Sequence, residues 1–124
     1  MPTSLRTGID LIEIDRFTSV FQRYHQRLLQ RVFTPTELAE NGENMASLAA
    51  RFAAKEAVAK AFGTGIGKIS WQDIEIRRGC SGEPILHLHG AAQKMAEEQN
   101  IITWSISLSH SRNHAIAFVV GMVE

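Results

Sequence analysis

The chain has 124 residues, 44% of them hydrophobic, and its 13 basic and 13 acidic side chains cancel to a formal net charge of zero. This length fits one domain, residues 1–124, and the balanced charge does not by itself indicate a partner. The single cysteine excludes an internal disulfide, and no apolar run is long enough to span a membrane. We therefore expect a cytoplasmic protein that binds neither nucleic acid nor membrane.

The first predicted element is a strand. GIDLIEI, residues 8–14, is a short isoleucine-rich run of the kind that forms a strand buried on both faces. Asp10 interrupts this run, although aspartate is disfavoured in strands. A charged side chain therefore stands where the pattern predicts core.

A helix is predicted to follow from Asp15, with a break near residues 24–26. Its apolar stripe consists of Phe17, Val20, Phe21, Tyr24 and Leu28. A second stripe is basic and consists of Arg16, Arg23, Arg27 and Arg31. Because no acidic residue occurs between Asp15 and Glu37, these arginines form a local basic surface, for which a solvated face is the simpler explanation and a docking site the alternative.

Local signals predict the remaining elements. TPTE, residues 34–37, has the sequence of a capping box with proline at the first helical position, and a longer helix is expected over residues 44–62, ended by the glycines of GTGIG. WQDIEIRR and EPILHLH predict a hairpin joined by GCSG, AAQKMAEEQ a surface helix, and WSISLSH and AIAFVVGMV a second hairpin around SRNH. This order predicts an α+β fold, with helices packed on one face of a mainly antiparallel sheet.

The long helix contains a second carboxylate at a position where its neighbours predict core. At about 100° per residue, Glu56 falls within the apolar arc formed by Met45, Leu48, Ala49, Phe52 and Ala59. An ionised carboxylate in an apolar setting is costly unless it is paired or binds metal. Lys60, one turn later, is the simplest partner, since glutamate before lysine at this spacing is a favourable pair.

A hard cation is the alternative explanation for Asp10 and Glu56. Oxygen ligands without a cysteine or histidine cluster favour Mg²⁺, which takes one or two carboxylates and completes its shell with water and substrate phosphates. Lys60 would then supply positive charge beside the metal. The loop FGTGIGK is not a P-loop, because its spacing is one residue short, but Gly65 in it lets backbone approach a ligand closely.

Four segments together resemble a known family. GIDLIEIDRF, ARFAAKEAVAKAFGTGIG, WQDIEI with GEPILHLHG, and WSISLSHSRNHAIAFVV are similar, in this order, to the holo-(acyl-carrier-protein) synthases, the small 4'-phosphopantetheinyl transferases. The resemblance implies transfer of the phosphopantetheine arm from coenzyme A to a serine of apo-acyl carrier protein, with release of adenosine 3',5'-bisphosphate. It also implies a homotrimer with active sites at subunit interfaces.

The same resemblance implies roles for individual residues. Asp10 and Glu56 are expected to bind Mg²⁺ together with the coenzyme A pyrophosphate, and these two with Lys60 are the expected catalytic residues. The expected coenzyme A-binding residues are Lys60, His110, Gly65 and Arg51, with Lys55 as an alternative to Arg51 for the 3'-phosphate. The base that deprotonates the serine stays open between Glu56 and a water on the metal.

The resemblance also implies a binding partner for the basic stripe. Synthases of this family dock acidic carrier proteins with arginines of their first helices, so Arg16, Arg23 and Arg27 are expected to bind the carrier. Two other functions remain open from the residues alone: a noncatalytic module that binds an acidic protein or nucleic acid, and a metal-dependent phosphohydrolase of small nucleotides. The module would keep its partner without the two carboxylates, and the hydrolase would release phosphate without an acceptor protein.

Overall fold

The structure is a computed structural model that describes residues 3–124, apart from the side chains of residues 24–26. Along this part of the chain the elements are β1 (Ser4–Glu13), α1 (Ile14–Val32), α2 (Pro35–Asn41), α3 (Met45–Phe62), a 3₁₀ turn (Trp71–Asp73), β2 (Ile74–Arg78), β3 (Pro84–Leu88), α4 (Gly90–Glu98), β4 (Ile101–His110) and β5 (His114–Val123). No helix among these is long and apolar enough to cross a membrane.

The strands form two antiparallel sheets. Strands β1, β5 and β4 make a three-stranded sheet in that order, and β2 pairs with β3 in a separate hairpin. Helix α3 lies against the three-stranded sheet and also contacts α1 and β2. The predicted α+β fold with antiparallel pairing and helices on one sheet face is confirmed, and both predicted hairpins are present.

Local signals that involve backbone capping were read correctly from the sequence. The Thr34 side chain accepts a hydrogen bond from the Glu37 amide, and the Glu37 side chain accepts one from the Thr34 amide, so the capping box is complete. Helix α3 ends at Gly63, whose φ of 84° is left-handed. The boundaries of α2 and α3 therefore follow from sequence.

The prediction that the first strand is buried on both faces was wrong. Gly8 and Ile12 point towards α3, whereas Ile9 and Leu11 on the opposite face are 53% and 60% exposed. The reason is that a helix covers only one face of the three-stranded sheet. We call the uncovered side the outer face.

Two further predictions about elements need correction. Helix α1 runs without a break through residues 24–26, and it buries Phe17 and Phe21, which stack with ring centroids 4.2 Å apart. The side chain of Tyr24, predicted on the same stripe, lies outside the described residues. The segment WQD is a 3₁₀ turn and not strand, because Ser70 and Asp73 form a second capping box there.

Helix α3 is buried around most of its circumference, so the prediction that a single apolar arc forms its core face was wrong. Of residues 51–62, all of which the structure describes, every one is buried except Phe52, Glu56 and Lys60. These three are spaced four apart and share one stripe. The charged side chain that does lie in the core is Lys55, whose Nζ is 2.7 Å from Oε1 of Glu37, and both side chains are 0% exposed.

Strand β1 and helix α3 meet in direct backbone contact at Gly8. A Cβ on this residue would lie 1.8 Å from the carbonyl oxygen of Ala57, a separation that no side chain can adopt. Alanines line the buried surface of α3, so the helix backbone can approach the sheet closely there. Only glycine at this position allows the observed spacing between strand and helix.

Replacement of Gly8 by alanine should therefore destabilise the fold. The added methyl must displace α3 from β1, and overpacking of this kind costs typically about 1–3 kcal/mol in the free energy of unfolding. Urea denaturation measures the change. Gly67→Ala is the matched control, because a Cβ at Gly67 meets no atom within 4 Å; equal stability of the two variants would contradict the contact.

Candidate functional site

The inner face of β1 places Asp10 beside the end of α3. Nζ of Lys60 lies 2.9 Å from Oδ1 of Asp10 and 2.9 Å from the carbonyl oxygen of Ile9. Oδ2 of Asp10 is buried and has no hydrogen-bond partner. One oxygen of this carboxylate is thus paired with a cation, and the other is withdrawn from water without compensation.

Glu56 is close enough to Asp10 for the two carboxylates to repel each other. Burial, and then the negative charge of Asp10, raise the pKa of Glu56, while Lys60 opposes the shift. Lys60 donates to Asp10 and forms no ion pair with Glu56 among the described residues. Lys60 therefore offsets the charge of Glu56 only in part and does not form the close i,i+4 ion pair with it.

These carboxylates suit a hard divalent cation. Two acidic side chains that repel each other, one with an unpartnered buried oxygen, would both gain from a positive charge between them. No group of three or more His, Cys, Asp or Glu with metal-binding geometry occurs in the described part of the chain. A centre of two carboxylates that leaves the other positions to water and substrate oxygens is the arrangement typical of Mg²⁺.

His110 lies on the same face of the sheet as Asp10. Asp10 is opposite Ala117 of β5, and Ala117 is opposite Leu108 of β4. His110 follows Leu108 by two positions, so its side chain points to the same side, and it is exposed at the strand end. The register therefore brings His110 to the face that carries the carboxylates.

The glycine loop after α3 is tied to the helical turn that carries Lys60. The amide of Gly65 donates to the carbonyl oxygen of Ala59 at 3.3 Å, and Gly65 has a left-handed φ of 67°. A Cβ at this position would meet no atom within 4 Å. The backbone of the loop is thus open to an approaching ligand next to Lys60.

The two basic residues predicted for the 3'-phosphate lie elsewhere on α3. Lys55 is fully buried against Glu37 and is closed to a ligand, so that prediction was wrong. Arg51 is 7% exposed, and its Nη1 donates to the carbonyl and the hydroxyl oxygens of Ser47. Burial, and then the positive charge of Arg78, lower the pKa of Arg51. The binding of coenzyme A by Arg51 stays a prediction.

An apolar groove that the sequence did not indicate lies along α1. It has a volume of about 420 Å³ and lies between β1, α1 and the side chain of Phe52. Its lining residues are Leu11, Ile12, Glu13, Arg16, Phe17, Val20, Phe21 and Phe52. Ile12 is two residues from Asp10 and Phe52 is one helical turn from Glu56, but neither carboxylate lines the groove.

The basic stripe lies along this groove. Arg16 forms part of its wall, and Arg27 and Arg31 line a second depression with Val20 and Leu28. All four arginines of the stripe, including Arg23, are exposed. Val20, which belongs to the apolar stripe of α1, is 41% exposed and lines both depressions. Its exposure cannot be read from the sequence, so the groove could not be predicted.

Comparisons with known proteins place this chain among similar sequences and structures. The profile of the 4'-phosphopantetheinyl transferase superfamily matches residues 6–119. A holo-(acyl-carrier-protein) synthase of Herpetosiphon aurantiacus is 50% identical over 95% of this chain and 98% of its own length. The crystal structure of the synthase from Neisseria meningitidis is similar, with a TM-score of 0.85 and 38% identity over 94% of this chain and 96% of that one.

A second solved structure is a complex. The synthase of Helicobacter pylori bound to coenzyme A is similar with a TM-score of 0.86 and 34% identity, over 93% of this chain and 98% of that one. Sequence and fold are therefore both similar to those of holo-(acyl-carrier-protein) synthases over nearly the full length of the chain.

The raised pKa of Glu56 predicts a pH dependence of stability in metal-free protein. Between the ordinary value near 4.5 and the raised folded value, the folded state binds more protons than the unfolded state. Stability should therefore fall as pH rises through this interval. Glu56→Gln should remove this fall and be more stable than wild type at pH 7, by up to about 1 kcal/mol because water screens a half-buried group.

Chemical denaturation in EDTA at pH 4 and pH 7 provides the measurement. The difference between Glu56→Gln and wild type should be largest at pH 7 and shrink at pH 4. Glu98→Gln, an exposed glutamate on α4, is the control and should change little at either pH. A Glu56→Gln variant that is less stable than wild type at pH 7 would contradict this account.

Proposed function

The chain belongs to the 4'-phosphopantetheinyl transferase superfamily, and from that membership we infer that it transfers the 4'-phosphopantetheine arm of coenzyme A to a serine of apo-acyl carrier protein. It is a holo-(acyl-carrier-protein) synthase by activity. The serine hydroxyl oxygen forms a bond to the β-phosphorus of coenzyme A, and the bond from that phosphorus to the bridging oxygen breaks. Adenosine 3',5'-bisphosphate leaves, and the serine proton passes to a base. The observation that carries the proposal is the carboxylate pair of Asp10 and Glu56 in a chain that matches the family over residues 6–119.

Asp10 and Glu56 are the proposed ligands of a Mg²⁺ ion. When bound, the ion would neutralise the pyrophosphate of coenzyme A and stabilise the charge that develops on the leaving group. The unpartnered Oδ2 of Asp10 and the repulsion between the two carboxylates support this assignment. The residues present fit the ion that the family resemblance implies.

Lys60 is the proposed phosphate ligand. Its ammonium is half exposed and is held by Asp10 and the Ile9 carbonyl, so it presents a fixed positive charge at the edge of the carboxylate pair. A fixed charge of this kind stabilises a developing negative charge without reorganisation during the reaction. Gly65 and His110 are the proposed coenzyme A contacts on either side, through the open backbone of the loop and through the strand end.

The transfer itself is tested by the intact mass of apo-acyl carrier protein after incubation with this protein, coenzyme A and Mg²⁺. We expect a gain of one phosphopantetheine group, which EDTA abolishes and Glu56→Gln lowers at least about 100-fold, as removal of a metal-polarised centre does. Release of inorganic phosphate without carrier would instead support a hydrolase. Carrier binding without any mass gain would support a noncatalytic module.

The carrier protein is proposed to dock along α1. The exposed arginines complement an acidic helical partner, and the apolar groove beside them offers a surface for the apolar side of such a helix. Arg16, Arg23 and Arg27 are the proposed contacts. A carrier bound there would contact β1 and α3, the two elements that carry Asp10 and Glu56.

Double replacement Arg16→Ala with Arg27→Ala should raise the KM for the carrier about tenfold and leave kcat nearly unchanged, since roughly 1.4 kcal/mol of attraction lost corresponds to tenfold in affinity. Higher salt should reduce the difference between variant and wild type. Lys94→Ala on α4, another exposed cation, is the control. A fall in kcat at unchanged KM would show that these arginines do not act in docking.

A homotrimer is proposed, with the outer face of the three-stranded sheet as the surface between subunits. Apolar residues of neighbouring strands lie side by side there and are exposed in the single chain: Leu5, Ile9, Leu11, Phe118 and Met122. A contiguous apolar surface of this extent is typical of an interface. The carboxylate pair lies on the opposite face of β1, so the placement of active sites at subunit interfaces is proposed from the family resemblance. The cytoplasm is the proposed location.

Phe118→Glu tests the trimer, because this side chain is 43% exposed in the isolated chain and its replacement should not disturb the core. Light scattering after size exclusion should report a trimer for wild type and a monomer of 13.8 kDa for the variant. Ser107 lies opposite Phe118 in the neighbouring strand. Ser107→Glu should also give a monomer if the interface between subunits extends to β4. A monomeric wild type would contradict the proposal.

A further inference from the structure

The only ion pair that is fully buried within the described residues does not belong to the site described above. Lys55 and Glu37 join α3 to α2 with both side chains 0% exposed. Lys55 precedes Glu56 directly in the chain. The residue that anchors α3 in the core and the residue that points to Asp10 are therefore neighbours on one helical turn.

The Lys55 ammonium is held from three directions. Its Nζ donates to Oε1 of Glu37 at 2.7 Å, to the carbonyl oxygen of Trp71 at 3.1 Å and to the carbonyl oxygen of Ile74. An ammonium has three donors, and all three have acceptors here. The position of this group is thus fixed relative to α2, the 3₁₀ turn and β2.

Glu37 is fixed in the same way. Its Oε1 accepts from the amide of Thr34 at 2.9 Å, and its Oε2 accepts from the amide of Ile76 at 2.9 Å. One oxygen therefore bonds to the N-cap of its own helix, and the other bonds to the backbone of β2. Movement of Lys55 would break contacts to several parts of the fold at once.

Helix α3 has only a few large buried side chains that could fix its rotation about its own axis. Its buried surface consists mostly of alanines, among them Ala53, Ala54 and Ala57. Small side chains allow close packing but interdigitate weakly, so neighbouring rotations of the helix differ little in packing energy. An apolar pair in place of Lys55 and Glu37 would stabilise the core as well, so stability alone does not account for the buried charges.

We propose that Lys55 is a positioning residue for the metal centre: its buried ammonium, held by Glu37 and two carbonyl oxygens, fixes the rotation of α3 that directs Glu56 towards Asp10. This inference rests on the proposed function, since it assumes that Asp10 and Glu56 hold a divalent cation. The contact of Gly8 with Ala57 sets how close strand and helix lie, and Lys55 sets which side chain of the helix faces the strand.

The test measures cation binding directly, with Mn²⁺ as a paramagnetic probe titrated in the presence of coenzyme A and followed by electron paramagnetic resonance. The variant is Glu37→Gln with Lys55→Met, which removes both charges and avoids a buried unpaired one. Val58→Ala is the matched control, because Val58 lies fully buried on the same helix and its truncation lowers the melting temperature while leaving the ion pair intact. Near-ultraviolet circular dichroism establishes that each variant is folded.

We expect the Kd for Mn²⁺ to rise about tenfold or more in the double variant, as loss of groups that orient metal ligands does, and to stay within about twofold in Val58→Ala. Transfer activity of the double variant should return at high Mg²⁺, which mere unfolding would not allow. If the double variant does not fold, Glu37→Gln alone should raise the Kd several-fold.

Three outcomes separate the inference from its premise. Wild-type affinity in the folded double variant would overturn the positioning role and leave the proposed function intact. An equal loss in Val58→Ala would also overturn it, because the effect would then follow stability. A wild-type protein that binds no Mn²⁺ would overturn the metal centre itself, and the positioning role with it.

Discussion

The close contact between β1 and α3 at Gly8 is the constraint on which the rest of the structure depends. Asp10 lies two residues beyond this contact on the strand, and Glu56 lies next to Ala57 on the helix. Without a Cβ between the two backbones, side chains as short as aspartate and glutamate come close enough to influence each other. A strand and a helix far apart in sequence thereby form one acidic centre.

Two lysines of α3 shape the electrostatics of this centre, one at the site and one in the core. Lys60 neutralises part of the charge on Asp10 and leaves Glu56 with a raised pKa. The buried pair of Lys55 and Glu37 holds the same helix from its other side. Successive lysines on α3 thus have different environments, one half exposed at the site and one enclosed in the core, although both belong to the same short motif.

The extent to which sequence predicted structure differs between local and nonlocal features. Capping boxes and helix-ending glycines act within a few residues, so Thr34, Glu37 and Gly63 could be interpreted correctly. Helical periodicity failed for α3, because a helix buried on nearly all sides has no single apolar face. Glu56 was therefore selected for an incorrect reason, while Lys55 beside it was not seen as the buried charge.

The site shows the same difference between features that short motifs indicate and features that depend on contacts between distant segments. The family resemblance indicated Asp10, Glu56 and Lys60, and the fold brings these three together. The groove along α1 and the second role of Glu37 depend on contacts between distant segments, which no local pattern contains. Glu37 in particular was fully accounted for by its capping box, so nothing in the sequence called for a second partner.

The basic stripe of α1 has a consequence for the choice of partner. A protein whose charges sum to zero presents almost no net field at distances beyond the screening length of about 10 Å at 0.1 M salt. Long polyanions attract uniformly basic proteins at long range, but a neutral protein experiences little of this attraction. If the proposed docking holds, the arginines attract an acidic surface at short range, along one helix, so the partner is selected by its shape as well as by the sign of its charge.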